Sequence, residues 1–114
     1  MSHSIDQRFV GTWKGSDQGQ LTAGEVNHWI IKRTSDGLYF ISFETHYDDG
    51  EIIRSEGEGI WFVENGYYYA SRELEDELDC YQFVFLASNA IQFIDVEERN
   101  NKVYQFVDYK VIVN

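Results

Sequence analysis

Two histidines and a glutamate are the residues whose types come nearest to a metal site. His28 and His46 fall in neighbouring β-rich runs, and Glu44 shares a strand face with His46. Imidazole nitrogens and carboxylates are ligands that zinc and related metals accept. The face of His28 relative to the other two depends on a strand register that the sequence does not give. Two surface histidines explain the pattern more simply, and no His-Glu-x-x-His or Cys-x-x-Cys motif is present. No metal site is therefore predicted.

Carboxylates and the one cysteine offer two further routes to chemistry. Paired carboxylates act as acid and base when one is desolvated and the other solvated. Nothing in the spacing of the glutamates between residues 51 and 64 indicates such a difference. Cys80 follows an acidic run, which raises rather than lowers the pKa of a thiol. No catalytic residue and no cofactor is predicted, although a small enzyme stays open as an alternative.

Aromatic side chains are the strongest candidates for a functional surface. They make up 17% of the chain, and three of them form the cluster Tyr67-Tyr68-Tyr69. Tyrosine joins an apolar ring to a polar hydroxyl, which suits a pocket mouth or a protein interface. Strand propensity and core packing account for the same cluster. The position of these rings in the fold therefore decides what they do.

The chemistry-bearing residues lie on a series of short β-rich runs. Aromatic and β-branched residues dominate each run, and no convincing helix interrupts the series. Gly37, Gly50 and Gly66 each follow Asp or Asn, and such pairs supply the positive φ of hairpin turns. Gly57 and Gly59 predict a bulge or a bend inside the fourth run. The predicted elements are a helical turn over 4–8, strands over 9–14, 25–34, 38–47, 51–63, 67–72, 80–87, 90–97 and 102–113, a polar loop over 16–24, and a loop or single turn over 73–79.

This serial order of strands favours a closed meander. Consecutive strands tend to pair with each other, and a long meander removes its free edges by closing on itself. A length of 114 residues corresponds to one domain. The sequence therefore predicts a single all-β domain over residues 1–114, folded as an antiparallel up-and-down β-barrel of about eight strands. Such a barrel can enclose a ligand cavity.

The segment around Gly11 and Trp13 resembles the opening of the lipocalins and fatty-acid-binding proteins. That superfamily begins its first strand with a short helical turn followed by Gly-x-Trp. The resemblance implies that Trp13 plugs the closed end of a barrel and packs under a basic side chain near the last strand, either Lys110 or Arg99. The chain lacks both the helix that follows a lipocalin barrel and the helical lid of fatty-acid-binding proteins. It looks most like the small bacterial lipocalin-like (calycin) proteins.

The barrel and this resemblance together lead to a prediction of function. We expect non-enzymatic binding of a small, largely apolar ligand inside the barrel. Two tyrosines of the cluster, Tyr67 and Tyr69, are expected near the mouth of the pocket. The rings expected to line it are Trp29, Tyr39, Phe43, Phe83, Phe85 and Phe93.

Charge and cysteine content limit the partners and the compartment. The net charge is −11, which repels phosphate backbones, so nucleic acids and anionic membranes are not expected partners. The same charge predicts that the pocket prefers neutral or cationic apolar probes to carboxylates. No apolar run approaches the roughly 18 residues of a membrane span, and no secretory signal is visible. A single cysteine fits a reducing compartment, so a cytoplasmic location is expected.

Several predicted strands are apolar on both faces, which a small barrel exposed to solvent does not require. A homodimer interface explains this pattern, as do scattered surface aromatics. The acidic surface also fits a protein-interaction module of the inhibitor or immunity type with a basic partner. A small barrel enzyme is the remaining alternative. A cavity inside the barrel is the observation that favours the first prediction over the others.

Overall fold

The structure, a computed structural model, describes residues 4–20, 22–72, 78–99 and 101–112. Asp6 caps a short helix at its start by accepting a hydrogen bond from the backbone N–H of Arg8. Strands then follow one another along the chain. Within the described ranges the elements are a 3₁₀ helix Gln7–Phe9 and strands β1 Gly11–Gln18, β2 Val26–Arg33, β3 Leu38–His46, β4 Ile52–Glu64, β5 Tyr67–Arg72, β6 Asp79–Ala87, β7 Ala90–Arg99 and β8 Lys102–Lys110.

Every strand pairs antiparallel with the next, and β1 pairs with β8 to close the barrel. Trp13 lies opposite Lys110, and Gly15 lies opposite Asp108 at this closure. The predicted all-β, up-and-down barrel of eight strands is thereby confirmed. Within the described residues no helix reaches the length and apolarity needed to cross a membrane.

Hairpin turns carry the conformations that their sequences predict. Gly37, Gly50 and Gly66 have φ values of 85°, 88° and 82°. Asn65 also has a positive φ of 54°, so the Asn65–Gly66 turn has the type I′ character expected of an Asn-Gly pair. Local turn chemistry thus sets the order and spacing of the strands.

Several predicted boundaries were wrong at the ends of elements. Strand β1 begins at Gly11, because residues 7–9 form the 3₁₀ helix, and it extends to Gln18, where a loop was expected. The extension follows from pairing with β2 along the whole of β1. Strand β8 ends at Lys110 instead of continuing to residue 113. Of the predicted segment 73–79, residues 73–77 lie outside the described residues, whereas Asp79 belongs to β6.

The bulge expected at the glycines of β4 is absent. Pairing between β3 and β4 runs without a register shift from Leu38–Ile60 to His46–Ile52. Gly59 instead leaves room for a ring, since a Cβ at that position would lie 2.8 Å from Tyr39 and closer still to the backbone of Ser71. Gly59 therefore relieves crowding inside a regular strand.

Aromatic side chains fill one end of the barrel. Phe9 is fully buried, and its ring lies 5.0 Å from Phe83, 5.1 Å from Phe85 and 5.5 Å from Tyr68. Trp13 is 0% exposed, and its indole N–H donates to the carbonyl oxygen of Phe9 at 2.8 Å. The 3₁₀ helix and the start of β1 thereby plug this end.

A basic side chain covers the plugging tryptophan, as the family resemblance implies. The Nζ atom of Lys110 lies 5.6 Å from the centroid of the Trp13 ring. Lys110 thus takes the position for which two candidates were open. The side chain of the other candidate, Arg99, lies outside the described residues.

The first half of β4 has one described partner strand. Strand β5 pairs with β4 only from Gly59 onward, so residues 52–58 pair with β3 alone among the described strands. Ile53 and Ser55 are exposed on this stretch, although both lie on the strand positions that face the interior.

Candidate functional site

A cavity of about 300 Å³ lies inside the barrel. Alternate residues of β2 and β3 point into it, because successive side chains on a strand face opposite sides. Strands β4, β5, β6 and β8 complete its wall. The lining residues are Trp29, Ile31, Arg33, Tyr39, Ile41, Phe43, Ser55, Glu56, Gly57, Tyr68, Ala70, Asp79, Tyr81, Tyr104, Phe106 and Asp108.

Three of the eight predicted ligand-binding residues line this cavity. They are Trp29, Tyr39 and Phe43. The rings of Trp29 and Phe43 are stacked, with centroids 5.8 Å apart and an interplanar angle of 7°. Phe106, which was not among the predicted residues, meets Trp29 edge-on at 5.1 Å. Aromatic surfaces therefore form a large part of the wall.

The other five predicted residues lie elsewhere. Phe93 is fully buried in the core, and Phe83 and Phe85 pack around Phe9 at the plugged end. Tyr67 and Tyr69 are not among the lining residues, because strand alternation turns the middle tyrosine of the cluster inward. A role for these five in ligand binding stays a prediction, and the structure gives it no cavity contact.

A buried ion pair that the sequence analysis missed forms the polar part of the cavity. Arg33 Nη2 donates to Asp108 Oδ2 at 3.1 Å, and the two side chains are 3% and 0% exposed. Trp29 Nε1 donates to Asp108 Oδ1 at 2.8 Å, and Arg33 Nε donates to the hydroxyl oxygen of Tyr68 at 2.9 Å. We refer to Arg33, Asp108, Trp29 and Tyr68 as the polar floor. The sequence held one signal for this pair. Strand alternation places Arg33 on the same face as Trp29, which was expected to line the cavity.

The protonation states of the polar floor follow from its burial and its charges. Burial alone would lower the pKa of Arg33, but Tyr68 and the Asp108 carboxylate outweigh it and raise that pKa. Burial raises the pKa of Tyr68. Arg33 is therefore a permanent cation, and Tyr68 keeps its hydroxyl proton at neutral pH.

Gly15 makes room for the polar floor at the closure of the barrel. A Cβ on Gly15 would lie 2.5 Å from the Trp29 indole and 2.6 Å from Asp108 Oδ1. Such distances are far inside van der Waals contact, so the tryptophan and the carboxylate meet directly above a glycine. A side chain at this position would push the two groups apart.

A second polar network lies further along the same strands. Asp17, which is buried, accepts a hydrogen bond from Asn27 Nδ2 at 2.9 Å and another from the hydroxyl of Tyr104. Thr45 donates to Asn27 Oδ1 at 2.8 Å. Burial and the hydrogen bond to Asp17 raise the pKa of Tyr104 well above its usual range. This network fixes Tyr104, which lines the cavity, in one orientation.

His28, Glu44 and His46 do meet, but on the outside of the barrel. His28 lies opposite Glu44 in the β2–β3 register, and the two imidazole rings are 5.3 Å apart. His46 Nε2 lies 2.9 Å from Glu44 Oε1, and Arg54 donates to the other carboxylate oxygen at 3.1 Å. The carboxylate is thus occupied by an ion-pair network. Among the described residues no group of three or more His, Cys, Asp or Glu side chains is arranged to hold a metal ion.

The remaining candidates for chemistry are weaker still. Burial raises the pKa of the Cys80 thiol, which disfavours the thiolate that a nucleophile needs.

A larger concavity of about 510 Å³ lies on the outer side of β1–β4 and includes Lys14, His28, Glu44 and Tyr109. It lies against the outside of the barrel, and the ion-paired Glu44 and Arg54 are part of its lining. The interior cavity is the better candidate site, because its rings are shielded from water.

No protein-family model matches the chain, and a comparison with curated proteins finds no matching sequence. The functional argument therefore depends on the geometry of the cavity.

Proposed function

We propose that this protein is a lipocalin-like binding protein that holds a small, largely apolar ligand inside its barrel without catalysing a reaction. The observation that carries this proposal is the interior cavity of about 300 Å³ in a closed barrel of eight strands. A filled interior would have removed the basis for it. Pockets that bind small molecules begin at about this size, so the ligand is small, on the scale of one or two rings.

The plugged end of the barrel supports the lipocalin-like assignment. Trp13 follows a short helix, is fully buried, and lies beneath Lys110 of the last strand. These contacts match what the resemblance at Gly11 and Trp13 implies. With one end closed by Phe9 and Trp13, a ligand enters away from this end.

Aromatic walls favour binding of an apolar ligand. Trp29, Phe43 and Phe106 offer ring faces and edges to such a ligand. Burial of apolar ligand surface contributes roughly 25 cal/mol per Å² before the entropic cost of binding.

A fluorescent apolar probe tests this proposal. N-phenyl-1-naphthylamine, which is neutral, should gain fluorescence on titration with the protein and quench tryptophan emission. Ala70→Phe, which fills the cavity wall, should weaken binding at least tenfold. Ala87→Phe adds the same ring at an exposed position and should leave binding unchanged.

If neither variant weakens probe binding, the probe binds outside the cavity. Absence of binding to the native protein would refute the proposal.

A second proposal is an acidic protein-interaction module. It depends on the net charge of −11 and on large apolar side chains exposed on the outer face of β2–β4, among them Ile30, Phe40 and Ile60. Such side chains also suit a homodimer interface. Sedimentation equilibrium distinguishes monomer from dimer directly. If no apolar probe binds, this second proposal becomes the better account of the surface.

A further inference from the structure

We infer that the polar floor receives an uncharged hydrogen-bond acceptor of the ligand, such as the oxygen of a ketone, ester or amide carbonyl. This inference depends on the proposed function, because it names the chemical class of ligand for the same cavity. It rests on the donors that Arg33 and Tyr68 leave unused. The ligand would lie with its carbonyl on the floor and its apolar part against the aromatic wall.

The unused hydrogen-bonding capacity of the floor consists mainly of donors. A guanidinium carries five N–H groups, and the described residues accept from Arg33 only through Tyr68 and Asp108. Arg33 Nη1 is buried and has no hydrogen-bond partner among the described residues. The Tyr68 hydroxyl accepts from Arg33, so its own proton is available to donate. Buried donors without acceptors are costly, and an acceptor supplied by a ligand removes that cost.

Charge favours an uncharged acceptor over a carboxylate. Asp108 already provides the counterion of Arg33 at 3.1 Å. Asp79 also lines the cavity. A ligand carboxylate would therefore find the charge of Arg33 already neutralised and would lose its hydration as well. A carbonyl oxygen accepts the same hydrogen bonds without that penalty.

The position of the floor gives the ligand an orientation. Arg33 ends β2 beside the plugged end, where it lies opposite Gly11 and Tyr39. The Trp29 indole donates to Asp108 and its ring stacks on Phe43, so this residue joins the polar floor to the aromatic wall. A carbonyl bound at the floor therefore leaves the apolar part of the ligand against these rings.

Three ligands of nearly equal shape test the inference. Acetophenone presents a carbonyl, α-methylstyrene replaces that oxygen by a methylene group, and benzoate carries a carboxylate. Dissociation constants come from titrations monitored at the indole N–H of Trp29 by NMR. We expect acetophenone to bind about tenfold more tightly than either of the other two. A carbonyl ¹³C label should also move downfield on binding, as a carbonyl does when it accepts a hydrogen bond.

Two variants assign the effect to the polar floor. Tyr68→Phe and Arg33→Lys should each reduce the ratio between acetophenone and α-methylstyrene towards one, with little change for α-methylstyrene itself. Tyr109→Phe removes a hydroxyl from an exposed ring outside the interior cavity and should leave the ratio unchanged. If Arg33→Lys does not fold, Tyr68→Phe and the ligand series on the native protein still test whether the polar floor binds a carbonyl.

Each outcome has a separate meaning. Equal binding of acetophenone and α-methylstyrene overturns the inference but leaves apolar binding in the cavity intact. Tightest binding of benzoate also overturns it, because the floor would then accept an anion. Failure of all three ligands, together with failure of the naphthylamine probe, overturns the proposed function as well.

Discussion

Removal of the charge on Asp108 should destabilise the protein strongly. Asp108→Asn keeps the shape of the side chain but leaves the Arg33 guanidinium buried without a counterion. Asp108 is fully buried and accepts two hydrogen bonds, from Arg33 and from the Trp29 indole. The amide can still accept from one of these donors, but its own NH₂ group then faces the other.

The magnitude follows from the burial of this pair. Loss of one partner from a buried ion pair costs about 3–5 kcal/mol. Small domains are stable by only about 5–15 kcal/mol in total. We therefore expect Asp108→Asn to remove a large fraction of the free energy of unfolding. Glu97→Gln makes the same chemical change at an exposed position on β7 and should alter stability by less than about 0.5 kcal/mol.

Urea denaturation followed by tryptophan fluorescence and circular dichroism measures both variants. If Asp108→Asn does not fold, Trp29→Phe provides a milder test, because it keeps the ion pair while it removes the indole donor and part of the ring, and it should cost about 1–3 kcal/mol. A loss below about 1 kcal/mol for Asp108→Asn would refute the reasoning. It would show that Arg33 does not depend on this carboxylate in solution.

Three other perturbations test the plug, the barrel closure and the second polar network. Trp13→Ala should cost about 3–5 kcal/mol in urea denaturation, because it removes a fully buried ring from the plugged end. Gly15→Ala should cost about 1–3 kcal/mol, because its Cβ would lie 2.5 Å from the Trp29 indole, whereas Gly57→Ala should be tolerated better, with 3.5 Å to its nearest neighbour. Stability should fall as pH rises above about 10. The raised pKa of Tyr104 keeps that group protonated in the folded state, whereas in the unfolded chain it ionises near the ordinary tyrosine pKa of 10.0. Tyr104→Phe should reduce this alkaline loss, and Tyr109→Phe, on the outside of the barrel, should not.

The opposite results would contradict each of these expectations. A loss under about 1 kcal/mol for Trp13→Ala would place its ring on the surface. Equal effects of the two glycine substitutions would mean that the crowding above Gly15 relaxes without cost. An alkaline transition that is identical in the native protein and in Tyr104→Phe would assign the pH dependence to other groups.

The architecture was predictable because its signals are local. Hairpins at Gly37, Gly50 and Gly66 follow from residue pairs adjacent in sequence, and these turns fix the order of the strands. Trp29 was correctly expected to face the interior, and alternation places Arg33 on the same face, although no role was predicted for Arg33. The end of β1 was misplaced because local patterns do not show how far the pairing between β1 and β2 extends.

The site was predicted only in part, because its contacts are not local. Arg33 and Asp108 are 75 positions apart, and their ion pair depends on the closure of the whole barrel. Phe83 and Phe85 have the composition of pocket residues, but Phe9 enters the barrel from the N-terminal side and uses their rings for the plug. Sequence periodicity states which side of a strand a residue faces, but not what fills the space there.

The polar floor has a consequence for the kinetics of ring closure. Adjacent strands pair across short connections, whereas β1 and β8 come together from opposite ends of the chain through Trp13–Gly15 and Asp108–Lys110. Pairing of β1 with β8 closes the longest loop of the chain, so it has the largest entropic cost of any strand pairing here. Asp108 of β8 extends past β1 and accepts hydrogen bonds from Trp29 and Arg33 of β2. The same carboxylate that shapes the cavity therefore also stabilises the pairing of β1 with β8. A ligand bound at the polar floor would slow the separation of β1 from β8. Amide hydrogen exchange in these two strands would then slow as well.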